Sequence, residues 1–136
     1  MLGKIISVSD SGFKLPSLYN TSRLNGYDGY EIILNNGDKI LIGIDDQSNC
    51  CENWGYVASE DSFDEYIGAE VLSVDVVDGA LNVKTKVELY EGGCMFVNVN
   101  TSKGLLQFVV YNEHNGYYSH DAVLVVAGNI SHRENL

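Results

Sequence analysis

Cys50, Cys51, Cys94, His114 and His120 have the chemistry to hold a metal or attack a substrate. Cys50 and Cys51 are adjacent, inside QSNCCENWGY. Zinc sites draw on four cysteines or histidines, often with C-x2-C spacing. Neighbours on a strand point to opposite faces, so these two thiols converge on one ion only in a turn. His114 and His120 lack a short paired spacing, although both flank the NGYY segment. A thiolate nucleophile would need a base and an oxyanion pocket. His114 or His120 supplies the one and backbone amides near Gly55 the other, but no cysteine-enzyme signature is present. The acidic surroundings also disfavour a thiolate. The balance points to packing, with one cysteine in the core and the other supporting a turn. No catalytic residue, cofactor or metal is expected, and Cys50 and Cys51 are the only metal candidates kept. Asn49 and Asn53 suit a turn after ILIGI. Trp54 is expected to pack on the sheet or on a Phe63–Tyr66 helix, hiding one cysteine.

Two further groups of residues suit binding better than catalysis. Glu60, Asp61, Asp64, Glu65 and Glu70 crowd one short segment, with Asp75 and Asp78 behind them. Between Asp45 and Glu91 the only basic residues are Lys84 and Lys86. Such a strip can imitate a line of phosphates toward a basic partner, or it can be a solvated face. Asn112, His114, Tyr118 and His120 form the second group. They can make a polar, aromatic patch for a base or a partner, or belong to an ordinary hairpin with a half-buried tyrosine.

The elements that must position these residues are mostly strands. Apolar residues alternate or run in short bursts bounded by Gly, Asn, Asp and Ser. KIISVS opens the series, and residues 10–26 read as a polar, mobile loop around Pro16. YEIILNNGDKILIGI is the clearest hairpin, with Asn36-Gly37 as a type I′ turn. That turn pairs Leu34 with Lys39 and Ile32 with Leu41. SEDSFDEYIG predicts a helix of barely two turns, capped by Asp61 or Ser62 and ended by Gly68, with Phe63, Tyr66 and Ile67 on its apolar side. EVLSVDVVD and LNVKTKVELYEG follow as strands. CMFVNVNTSKGLLQFVVYN forms a second hairpin with Gly104 in a left-handed position, and YYSHDAVLVVAG closes the sheet. The expected fold is α+β, a mainly antiparallel sheet of about seven strands with one short helix. Residues 1–128 make a single globular domain, and 129–136 make a polar, frayed tail.

Composition narrows the classes of partner. With 136 residues the chain suits one domain, and 45% hydrophobic residues suit a folded one. Eight Lys and Arg against 19 Asp and Glu give a formal charge of −11. Such a field repels phosphate backbones, which argues against direct nucleic-acid binding, and it attracts basic proteins. No apolar run approaches the ~20 residues of a membrane span, and no signal-peptide h-region is evident. Three cysteines fit no complete intrachain disulfide framework, so a cytoplasmic protein with reduced thiols is expected.

DDQSNCCEN, followed by FDEYIGAEVLSVD, resembles the core of a family of small phage and prophage proteins that carry a domain of unknown function. TSKGLLQFVVYNEHNGYYSHDAVL resembles the same family's second signature, and the likeness extends over residues 28–126. SNCCEN departs from the family pattern, in which an acid often directly precedes the cysteines. The resemblance implies a phage or prophage origin and a small α+β domain, and no reaction. The leading expectation is therefore a non-enzymatic accessory protein in the cytoplasm of a bacterial host. It would inhibit a host-defence protein, such as a CRISPR effector, by setting its acidic surface against a basic groove. One alternative is a protein that sequesters a nucleotide signal between tyrosines of adjacent subunits, although Arg23 and Arg133 are its only arginines. Another is a metal- or thiol-dependent enzyme built on the cysteines and histidines.

Overall fold

The alternating segments pair into a single antiparallel sheet in the computed structural model, which describes residues 2–18, 22–47, 53–114 and 118–136. Ten strands are present among the described residues: β1 (Gly3–Asp10), β2 (Phe13–Pro16), β3 (Leu24–Leu34), β4 (Lys39–Asp45), β5 (Asn53–Ala58), β6 (Glu70–Val77), β7 (Gly92–Thr101), β8 (Gly104–Glu113), β9 (Asp121–Val126) and β10 (Asn129–Asn135). Their order is β10-β9-β4-β3-β1-β6-β7-β8-β5, and β2 pairs with β3 beyond the end of β1. β1 belongs to both halves. Its first residues, Gly3 and Lys4, pair with β6, while Ile5 and Ser7–Asp10 pair with β3. The halves pack face to face over one core. Ile32, Leu34, Ile40, Ile42, Ile44 and Leu124 come from one side, and Val71, Val97, Val99, Leu106, Phe108 and Val110 from the other. Phe13, Leu15 and Leu41 cover a smaller cluster of Tyr27, Val123 and Val125 on the outer face. No helix of the described residues is long and apolar enough to cross a membrane.

Several expectations are corrected. The sheet has ten strands, not about seven. The β3–β4 loop has three residues, because Leu34 accepts from the Gly37 N–H and donates to the Asp38 carbonyl. Gly37, at φ 89°, takes the left-handed position. Ile32 therefore faces Ile40 rather than Leu41, and Ile33 faces Lys39. That one-residue shift sends Ile32, Leu34, Ile40 and Ile42 into the core together and leaves Lys39 outside, 3.3 Å from Glu31.

The expected helix is a single 3-10 turn, Asp64–Tyr66. Its run is too short to offset the cost of nucleation. Gly68 and Ala69 already bond to Ile5 of β1, which stops the coil. Residues 10–26 carry β2 and the start of β3 instead of one long loop. LNVKTKVELYEG does not form a strand up to Gly92. Side chains hold this connection: Asn82 Oδ1 accepts from the Lys84 and Thr85 N–H groups, and the Gln107 amide binds Leu81 N–H and Gly79 C=O. The expected tail is β10, paired with β9, and Leu136 is buried in the core.

Candidate functional site

Three aromatic rings from distant segments meet at the edge of the core. Tyr30 points inward from β3, where it is 8% exposed. Tyr56 stands on β5, held in register by its pairing with Val110 of β8. Phe63 lies just before the 3-10 turn. The Tyr56 ring is 5.3 Å from Tyr30 and inclined at 83°, and the Phe63 ring is 6.2 Å away and inclined at 75°. Phe108 packs behind them, 4.8 Å from Tyr30 and 5.8 Å from Phe63. Two rings thus stand nearly upright on a third. They line an open cavity of about 420 Å³ whose rim carries Glu60, Asp61 and Lys84.

The polar groups around this cavity are mostly acidic. The Tyr56 hydroxyl donates to Asp10 Oδ1 at 2.7 Å. That bond, with burial, raises its pKa. Burial and the nearby Asp10 charge push Tyr30 up to about 12. Both phenols therefore stay neutral donors at neutral pH. Asp28 is raised above the ordinary carboxyl value by burial and by the charges of Asp46 and Asp10. Tyr66 is raised by burial and by Glu60 and Glu65. The carboxylates of Asp10, Asp28 and Asp46 thus crowd together, and Glu60 and Glu65 gather around Tyr66. The cation on the rim is Lys84, whose Nζ lies 2.5 Å from Asp61 Oδ2. Chemically, the arrangement can receive a positive group: aromatic rings attract cations, and carboxylates accept their N–H bonds.

Glu60 and Asp61 of the anticipated strip are on this rim, and Asp64 and Glu65 are exposed beside it on the 3-10 turn. Glu70 is apart from them, opposite Lys4 in the β1–β6 ladder. The second anticipated group does not gather as a surface patch. Asn112 and His120 are 0% and 1% exposed, which removes them from any external partner. Asn112 Nδ2 donates to the Tyr118 and Leu136 carbonyls. His120 Nδ1 lies 2.8 Å from Asp45 Oδ1 and 2.9 Å from the Asp45 carbonyl, two acceptors, so this nitrogen carries the proton. His114 and Tyr118 are half-buried.

His120 belongs to a buried polar network that ties five strands. Asp45 Oδ2 also accepts the Asp121 N–H at 2.7 Å. Arg133 of β10 grips the Asp121 carboxylate through Nε and Nη2, and Nη2 reaches the Pro16 carbonyl and the Tyr27 hydroxyl. Tyr27 donates its hydroxyl proton to Asp121. The Trp54 ring, expected to pack on the sheet, does so 5.3 Å from His120. Cys50 and Cys51 lie outside the described residues, as does Tyr117. Cys94 is half-buried, and burial followed by the Glu134 charge raises its thiol pKa, the opposite of an activated nucleophile. Among the described residues no three potential ligands gather around one point.

Sequence reasoning missed Tyr30, Tyr56, Asp10, Asp28 and Asp46 as site residues. The sequence signal was faint: YDGY places an acid between tyrosines, Asp10 ends β1 and Asp46 directly follows β4. Their convergence depends on the ladder that sets Asp10 opposite Tyr30 and Asp28 opposite Ile44.

A family model described as a domain of unknown function, DUF7448, matches residues 1–124. No curated protein and no solved structure matches the chain.

Proposed function

We propose that this chain, which belongs to the DUF7448 family of unknown function, acts by binding a protein with a basic surface. The observation that carries the reading is an open aromatic cavity with Glu60, Asp61 and Lys84 at its rim, beside a second group of acids in which Asp10 holds the Tyr56 hydroxyl and Asp28 feels the charges of Asp46 and Asp10. Like charges held together on a surface cost stability, and a cationic partner relieves that cost on binding. The net charge of −11 steers such a partner from a distance and turns nucleic acid away. The phage resemblance of the cysteine and NGYY segments supplies a setting. There the chain is an accessory protein of the host cytoplasm that blocks a defence protein, such as a CRISPR effector, at a groove that otherwise holds nucleic acid.

A pull-down against host nucleases and other defence proteins, at low and raised salt, tests this reading. The expected outcome is a partner retained at low salt and released at high salt, and lost when Glu60 and Asp61 are both changed to Lys. Retention by the double variant would end the acidic-surface reading. A nucleotide-sequestering function has less support, because Arg133 is already engaged by Asp121. A thermal-shift screen with cyclic and linear nucleotides separates the two: stabilisation by a nucleotide would favour the alternative.

A further inference from the structure

The geometry points to the Tyr30–Tyr56–Phe63 cavity as a socket for one arginine side chain of the partner, with Lys84 as the internal cation that the guest displaces. The inference rests on the binding reading above and names the group that the site receives. Three observations carry it. The cavity, about 420 Å³, is large enough for a whole guanidinium and its aliphatic stem. Tyr56 and Phe63 stand at 83° and 75° to the buried Tyr30 and leave two half-buried rings on the cavity wall for a cation to lie against. Its rim carries the carboxylates of Glu60 and Asp61.

A cage of rings alone would suit a quaternary ammonium as well. The rim distinguishes the guests, because a quaternary ammonium has no N–H to give a carboxylate. A guanidinium stacks on rings through its plane and donates through its edge, so it uses both halves of the site at once. Lysine brings a compact, strongly hydrated charge that uses the rings less well. Lys84 already lies against Asp61 with its side chain 41% exposed. It comes from the connection between β6 and β7, outside the sheet, so it can swing away without breaking a strand. Its ammonium shows where the site holds positive charge, and it competes with the guest for the same carboxylate.

The test uses the full chain and three probes: N-acetyl-arginine amide, N-acetyl-lysine amide and the neutral isostere N-acetyl-citrulline amide. Binding is followed by the aromatic side-chain resonances of Tyr30, Tyr56 and Phe63. The arginine probe is expected to shift these resonances, and citrulline to bind about tenfold more weakly. Lysine falls between them. Lys84→Gln, in an exposed connection, is expected to tighten arginine binding about threefold. Asp61→Asn and Phe63→Leu are expected to weaken it, and Tyr56→Phe to keep it, since the ring remains. Equal binding of citrulline and arginine, no shift with any probe, or weaker binding by Lys84→Gln would each overturn the socket. Those results leave the salt-sensitive pull-down free to succeed, so failure of the socket and failure of the acidic surface are distinguishable.

Discussion

Two clusters in this molecule contain the same kinds of residue and settle them in opposite ways. Around Asp121 the acids are buried and satisfied: Arg133 grips one carboxylate, His120 and the Asp121 amide share the other, and Tyr27 closes the group. Around Tyr30 the acids are gathered at an open rim with one exposed lysine among them. The first cluster can have no outside partner, since Asp121 and His120 are closed to solvent. It joins β2, β3, β4, β9 and β10. The second keeps its charges within reach of a visitor. Burial with complete pairing marks structure, and the open acidic rim is the surface proposed for a basic partner.

Removing one member of the buried cluster should have the largest effect. Arg133→Ala leaves the Asp121 carboxylate buried and uncompensated, and is expected to cost about 3–5 kcal/mol in chemical denaturation. A cost within the range of ordinary surface changes would mean that the two clusters do not differ in the way described. The alkaline limb comes next. Tyr30 titrates at about 12 rather than 10.0, so its protonated form is the one that the fold prefers. The stability this contributes is complete below pH 10, and is lost as pH rises from 10 through the folded value. Tyr30's share of the loss across that window is expected to be about 1–3 kcal/mol, read as a fall in denaturation midpoint, and Tyr30→Phe should remove that share and leave the part due to Tyr56 and Tyr27.

Changes at the open rim should barely touch stability and act on association instead. Glu60→Lys with Asp61→Lys is expected to slow association with a basic partner about tenfold at low salt, by stopped-flow, with the difference shrinking as salt rises. The denaturation midpoint should stay almost fixed. If instead the fold weakens and the rate does not change, the rim is structural. The smallest effect belongs to Asp28. Its carboxyl is raised by burial and by Asp46 and Asp10, so the folded state prefers it protonated. The resulting penalty is absent below the ordinary value of 3.8 and complete above the folded one. Asp28→Asn should therefore stabilise the protein slightly at neutral pH, by less than about 1 kcal/mol, and not in acid. A thermal melt at each pH checks the sign.

Much of the sheet was legible because it depends on local patterns. Alternation placed β1, β6, β8 and β9, and the Thr101-Ser102-Lys103-Gly104 turn is present with Gly104 at φ 136°. The acidic strip was legible in the same way, since Glu60, Asp61, Asp64 and Glu65 are neighbours along the chain. Its aromatic half was not. Tyr30, Tyr56 and Phe63 have no spacing in common, and nothing local announces that β3 and β5 will face each other across the core. The Asn112, His114, Tyr118 and His120 group failed for the complementary reason. Closeness in sequence suggested a patch, but the Leu136 carbonyl and Asp45 claimed two of its members from inside.

By itself, then, the sequence determined an antiparallel sheet, though not the near absence of helix, together with the sign of the field and the positions of the main turns. Side-chain alternation, net charge and Asn-Gly or Lys-Gly pairs act over a few residues. Tertiary structure decided register, closure and the fate of each polar group. Asn36-Gly37 serves a two-residue or a three-residue loop. The three-residue loop was selected because it sends Ile32, Leu34, Ile40 and Ile42 to one core and Lys39 to water. Asn129–Asn135 reads as a polar tail, yet it folds as a strand because Arg133 finds a buried carboxylate twelve residues back. Such choices depend on partners far along the chain, and only the assembled sheet brings those partners within reach.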